Sequence, residues 1–118
     1  SIPSRRKNDG AVALIDNLEA LLARGQDTAL LRYGLGAEYA KQNQPARAIP
    51  HLQRALVHDP SYSAAWKLLG QSLAASGDIE GAARAYTDGI RAAETKGDKQ
   101  AAKEMTVFLK RLRKSSPQ

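Results

Sequence analysis

The sequence predicts an all-α fold, about six helices stacked as antiparallel pairs in a short right-handed superhelix. Three observations carry that expectation. The first is an ordered set of landmarks that occurs twice, 34 residues apart. Leu35, Gly36, Tyr39, Ala48, Leu52 and Ala55 are matched by Leu69, Gly70, Leu73, Ala82, Tyr86 and Gly89, small residue for small and large apolar for large. A fixed period of this length marks helical units that bury their apolar faces against one another. The second is apolar spacing of helical period between Gly, Pro and Asp punctuation. The third is a composition 42% hydrophobic but only 5% aromatic and rich in alanine, which suits close helix–helix contact. At 118 residues the chain fits one domain.

Each element follows in order. Residues 1–9, polar and holding Pro3, read as a disordered basic arm. From about Gly10 to Arg24, Leu14, Ile15, Leu18, Leu21 and Leu22 share about a third of a helical circumference. Gly25 ends that helix, and Asp27 is positioned to cap the next, from about Thr28 to Asn43. Pro45 suits the first turn of a third helix reaching about His58, where Asp59-Pro60 stops it. Pro50 conflicts with that helix: it should free a carbonyl near Ala46 and cause a slight bend. A fourth helix spans about Tyr62 to Ser76, and Gly77-Asp78 turns the chain. The fifth runs from about Ile79 to Thr95, with Gly97 ending it and Asp98 capping the next. The last, about Lys99 to Lys114, is two-faced. Ala101, Met105, Phe108 and Leu112 form one stripe, broadened by Ala102 and Leu109, and Lys99, Lys103, Lys110 and Lys114 form the other.

These landmarks resemble the tetratricopeptide repeat (TPR), whose 34-residue unit is an aromatic, Leu-Gly and an aromatic on one helix, then Ala, an aromatic and Ala on a second, closed by Pro. Residues 29–62 resemble one unit through Leu35, Gly36, Tyr39, Ala48, Ala55 and Pro60, with Arg32 in place of the first aromatic and Leu52 in place of the later one. Residues 63–96 resemble a second through Trp66, Leu69, Gly70 and Ala82, with Leu73 and Tyr86 as conservative substitutes and Gly89 and Glu94 as departures. The resemblance implies a small protein-binding repeat of bacterial type. Residues 10–25 then sit where the second helix of a preceding unit would lie, as an N-terminal cap. Residues 98–114 form a C-terminal capping helix within a single domain of residues 10–114, and residues 115–118 are a tail. Two units alone are marginal, so both terminal helices are expected to be integral to the fold.

The net charge of +6 is unevenly placed: +2 in residues 1–9, −1 in residues 10–95 and +5 in residues 96–118. No apolar run approaches the length of a membrane span, there is no cysteine, and the first residues lack a signal-peptide layout. A soluble, cytoplasmic protein without disulfide or thiolate chemistry is the expectation, a monomer with a dimer as the alternative.

No catalytic, cofactor-binding or metal-ligating residue is assigned, and no enzyme is expected. His51 and His58 lie seven apart on one helix, about 10 Å, too far to share a metal, and read as solvent-side histidines. Neither a phosphate loop nor a nucleophile–base pair is present. Trp66 is expected to pack against the partner helix around Ala82 to Tyr86 rather than anchor a ligand. Gly36 and Gly70 are expected to admit that helix closely.

The TPR resemblance implies a concave groove, lined by the first helix of each unit, that receives a peptide or helix of another protein. Its candidates are Tyr33, Ala37 and Lys41 from one unit and Lys67, Gln71 and Ala75 from the next, with Met105 closing one end. Two lysines without a nearby acid would favour a carboxylate-bearing segment. Lys67 and Gln71 supply part of the carboxylate clamp some TPR proteins use, but Tyr33 and Ala37 break the pattern in the other unit. An alternative uses the basic face of Lys99, Lys103, Lys110 and Lys114, with Arg111 and Arg113, on nucleic acid or an acidic surface. That face carries no aromatic for base stacking, and Val107 is its one apolar residue. A third alternative is self-association through the groove or an end helix.

Overall fold

The structure, a computed structural model, describes residues 9–115. Of the arm expected over residues 1–9 and the tail over 115–118, Asp9 opens the first helix and Ser115 ends the last, and the other residues lie outside the described residues. Six helices follow one another: α1 (Asp9–Ala23), α2 (Ala29–Lys41), α3 (Pro45–His58), α4 (Ser63–Ala75), α5 (Ile79–Lys96) and α6 (Lys99–Ser115). Among the described residues there is no strand. Each helix packs on the next, and α4 also touches α2 and α6.

Local chemistry sets the boundaries. Asp78 accepts a hydrogen bond from the Gly81 amide at 2.9 Å, and Asp98 from that of Ala101 at 3.1 Å, which satisfies free amides in the first turns of α5 and α6. Gly97 ends α5 at φ 83°, a left-handed cap that glycine takes without a Cβ penalty. The cap of α2 differs from expectation. It is Thr28, whose Oγ1 accepts from the Leu31 amide at 3.1 Å, because the Asp27 carboxylate is taken by Arg32 and His58. Pro45 opens α3, and the helix runs unbroken through Pro50.

The repeated landmarks are the core. Leu35, Ala48, Leu52, Ala55 and Ala82 are fully buried, and Tyr39, Leu69 and Tyr86 nearly so. Gly36 and Gly70 stand where the paired helices cross. A Cβ on Gly36 would lie 2.6 Å from the Leu52 side chain, and one on Gly70 would run into the Tyr86 ring. Close approach here outweighs glycine's poor helix propensity. Trp66 packs on α5, against the clusters that hold Ala82, Ala85 and Tyr86, and its contact extends to Gly89: a Cβ on Gly89 would meet Trp66 Cβ and Met105 Sδ, each at 2.6 Å. Trp66 is half-buried, and its indole N–H donates to the Pro60 carbonyl at 2.7 Å. Met105, expected at the mouth of the groove, is fully buried at this junction of α4, α5 and α6.

Candidate protein-docking surface

The residues expected to line a groove meet different fates. Tyr33 leans on Tyr62, ring centroids 5.0 Å apart and 31° between planes, so its face is engaged within the fold. Lys41 Nζ lies 3.3 Å from Glu38, and Lys67 Nζ lies 2.7 Å from Glu104 of α6. The expectation of two lysines without a nearby acid is therefore corrected, and with it the argument for a carboxylate-bearing segment. Lys67 joins α4 to α6 instead, and it holds the Glu104 carboxyl below the usual carboxylate range, with help from Gln100. Gln71 and Ala75 share a small recess of about 250 Å³ with Ala40, Asn43, Pro45 and Leu68.

Ala37 belongs to a larger feature. The cleft between α1 and α2, about 470 Å³, is lined by Leu14, Leu18, Gln26, Thr28, Leu30, Leu31, Gly34, Ala37 and Glu38. Leu30 is 73% exposed and Leu14 41%, which is unusual for leucines on adjoining helices. The cause is positional. Leu14, Leu18 and Leu21 stand 34 residues before Ala48, Leu52 and Ala55, the α3 residues that face α2. In α1, Ile15, Leu18 and Leu22 pack on the core, with Leu18 lying against Gly34 of α2, while Leu14 at the edge of that stripe is covered by no helix among the described residues. Sequence spacing places α1 as a second helix without its first, but the apolar cleft beside it exists only once the two helices are placed in space.

A second open face lies at the other end. Glu94, Gly97, Lys99, Ala102, Lys103, Thr106 and Val107 line a recess of about 670 Å³ on α6. The lysines Lys99, Lys103, Lys110 and Lys114 are exposed, as are Arg111 and Arg113.

Of the two histidines, His58 is exposed as expected, whereas His51 is not solvent-side. Arg32 Nη1 lies 3.1 Å from His51 Nδ1, and because a guanidinium only donates, His51 is neutral with its hydrogen on Nε2, which faces Glu19 at 3.7 Å. Its ring stacks on Tyr39 at 5.7 Å, and the Tyr39 hydroxyl donates to Glu19 at 3.0 Å. Burial pushes the His51 pKa down. Arg32 also grips Asp27 with two nitrogens, at 2.8 and 3.0 Å, while His58 lies 2.8 Å from the same carboxylate. These partners hold the Asp27 carboxyl far below its ordinary range. Among the described residues no group of three His, Cys, Asp or Glu is placed to hold a metal ion. Among them, too, no helix is long and apolar enough to cross a membrane.

Comparison with known proteins agrees with this geometry. The tetratricopeptide repeat family profile matches residues 33–97. A TPR repeat-containing protein of Pseudomonas aeruginosa is 54% identical over 99 residues, which span 84% of this chain and 94% of that protein. A Bordetella parapertussis protein solved in solution is 49% identical, with a TM-score of 0.75 over 85% of this chain and 87% of its own. MamA shares the fold at 24% identity, with a TM-score of 0.65 over 88% of this chain and 67% of that one. The Sgt2 TPR domain of Aspergillus fumigatus does so at 21% identity, with a TM-score of 0.58 over 100% and 91%.

Proposed function

The chain belongs to the tetratricopeptide-repeat family, and we propose that it is a non-enzymatic interaction module that receives an apolar-faced segment of a protein partner in the cleft between α1 and α2. Domains of this family are in general protein–protein interaction modules and scaffolds. The observation that carries the reading is the pair of exposed leucines, Leu14 and Leu30, lining a cleft of about 470 Å³ in which Glu38 is the only charged residue among the described ones. Such a cleft suits a helix that lays one apolar face into a groove. Tyr33, Ala37, Lys41, Lys67, Gln71 and Ala75 stay in the proposal as the adjoining concave wall, with Ala37 shared between wall and cleft. The affinity of the cleft comes from apolar burial, so it is expected to be insensitive to salt.

The anion-binding alternative has one observation in its favour. The six exposed cations of α6 share their helix with a single acid, Glu104, which Lys67 already engages. Binding through them would weaken steeply as salt rises.

The test is capture by the immobilised chain. Leu30→Glu leaves stability within about 0.5 kcal/mol, as exposed positions do, and abolishes retention of specific partners. The double change Lys110→Gln with Lys114→Gln leaves retention intact. Retention that survives Leu30→Glu and is lost with the lysines assigns function to the basic face instead.

A further inference from the structure

We infer that the segment seated in the α1–α2 cleft is α6 of a second copy, so that the chain assembles end to end into a longer solenoid. The inference rests on reading that cleft as a helix-docking groove. It starts from the order of half-units. Measured against the repeat, α2 and α4 are first helices, and α3 and α5 are second helices. The described chain therefore begins with a second helix, α1, and ends with a first helix, α6. Counted from their N-caps, Tyr62 and Asp98, Ala102, Met105, Thr106 and Leu109 of α6 stand where Trp66, Leu69, Gly70 and Leu73 stand in α4. Consistent with that register, α6 packs on α5 as α4 packs on α3, and it touches α4 as α4 touches α2.

The two vacant faces match. In a complete unit, positions Trp66 and Gly70 of the first helix receive Gly89 and Tyr86 of the second. Their counterparts on α6 line the recess at the C-terminal end, Ala102 as its buried floor and Thr106 half-exposed beside it. The α1 counterparts of Ala48 and Leu52, namely Leu14 and Leu18, line the open cleft at the N-terminal end. Among the described residues, each face lacks the helix type that the other supplies.

Side-chain size supports the pairing. Thr106 replaces the glycine that lets the intact units close tightly, so a seam at α6 is wider. The α1 helix carries Leu14 and Leu21 where the intact second helices have alanine or glycine: Ala48 and Ala55 in α3, Ala82 and Gly89 in α5. Larger side chains on α1 fill the extra width. Val107, 44% exposed, is the apolar residue free to enter. Because the two surfaces differ, the contact is heterologous, and because it continues the axis of the solenoid it builds an open filament rather than a ring.

Sedimentation velocity of the purified 118-residue chain, from micromolar to millimolar concentration, tests this. The average mass is expected to grow with concentration without a fixed end point. Leu14→Glu and Val107→Glu, both at exposed positions, each leave the chain monomeric. An equimolar mixture of the two forms a 1:1 heterodimer and nothing larger, because one intact cleft and one intact α6 remain. Should Leu14→Glu not fold, Leu30→Glu replaces it. A wild-type chain that stays monomeric throughout overturns the inference, as does a closed dimer or a mixture that shows no heterodimer. If the chain is monomeric and Leu30→Glu still abolishes partner capture, the docking groove stands and only its occupant is refuted. If neither effect is seen, both readings fall.

Discussion

Arg32 and Trp66 occupy the same place in successive units, yet they close their seams by opposite chemistry. Trp66 is an apolar wedge, lying over Gly89 beside Met105 and tethered at its edge by one hydrogen bond. Arg32 is the hub of a polar network in which Asp27, His51, His58, Tyr39 and Glu19 link α1, α2, α3 and the turn between α1 and α2. The position requires a large side chain to fill the crevice at the helix crossing, and either chemistry meets that need. The difference shows in the response to perturbation. An apolar seam depends on shape, whereas a polar one depends on protonation.

The largest expected effect is on the apolar seam. Trp66→Ala lowers stability by about 2–4 kcal/mol, at or just below the range for fully buried tryptophans because the ring is half-buried. Urea unfolding followed by circular dichroism measures it. A variant that keeps wild-type stability would show that the wedge contributes nothing and that the two seams are not alternatives.

Next come the two crossing glycines. Gly70→Ala drives a methyl group into the buried Tyr86 ring and is expected to cost about 1–2 kcal/mol net, overpacking exceeding the gain in helix propensity. Gly36→Ala meets the end of the Leu52 side chain, which yields by rotation more readily than a ring, so its cost is smaller. Thermal melts of the pair rank them, and the reverse order would show that the first seam is the tighter one.

The smallest effect, and the sharpest contrast, is in pH. The pKa of His51 is depressed by burial, so the unfolded chain takes up a proton that the folded chain refuses. Its contribution is present above the unfolded value of about 6.5 and is lost as pH falls toward the folded value. Asp27 is depressed by Arg32 and His58, so its contribution is present above the unfolded value of about 3.9 and is lost as pH falls further. Melting temperature should therefore fall in two acid steps. His51→Gln removes the upper step and Asp27→Asn weakens the lower, to which Glu104 and Asp59 also contribute, while Trp66→Ala retains both. A Trp66→Ala variant lacking either step would place that titration outside the Arg32 seam.

The sequence by itself determined the helices, their order and most of the core. A helix is built from neighbours along the chain, and the 34-residue period marks which residues must be small or apolar where two helices cross. Leu35, Gly36, Ala48 and Leu52, with their partners in the next unit, were legible for that reason. The tertiary structure alone decided what the polar side chains do. Lys67 finds Glu104 across 37 positions, His58 finds Asp27 across 31, and Tyr39 finds Glu19 across 20. No periodicity encodes those meetings, because a charged side chain is satisfied by whatever partner the packing brings within reach. The same holds for the cleft between α1 and α2. The leucines lining it read as ordinary core in one dimension, and only the placement of the helices leaves Leu14 and Leu30 uncovered.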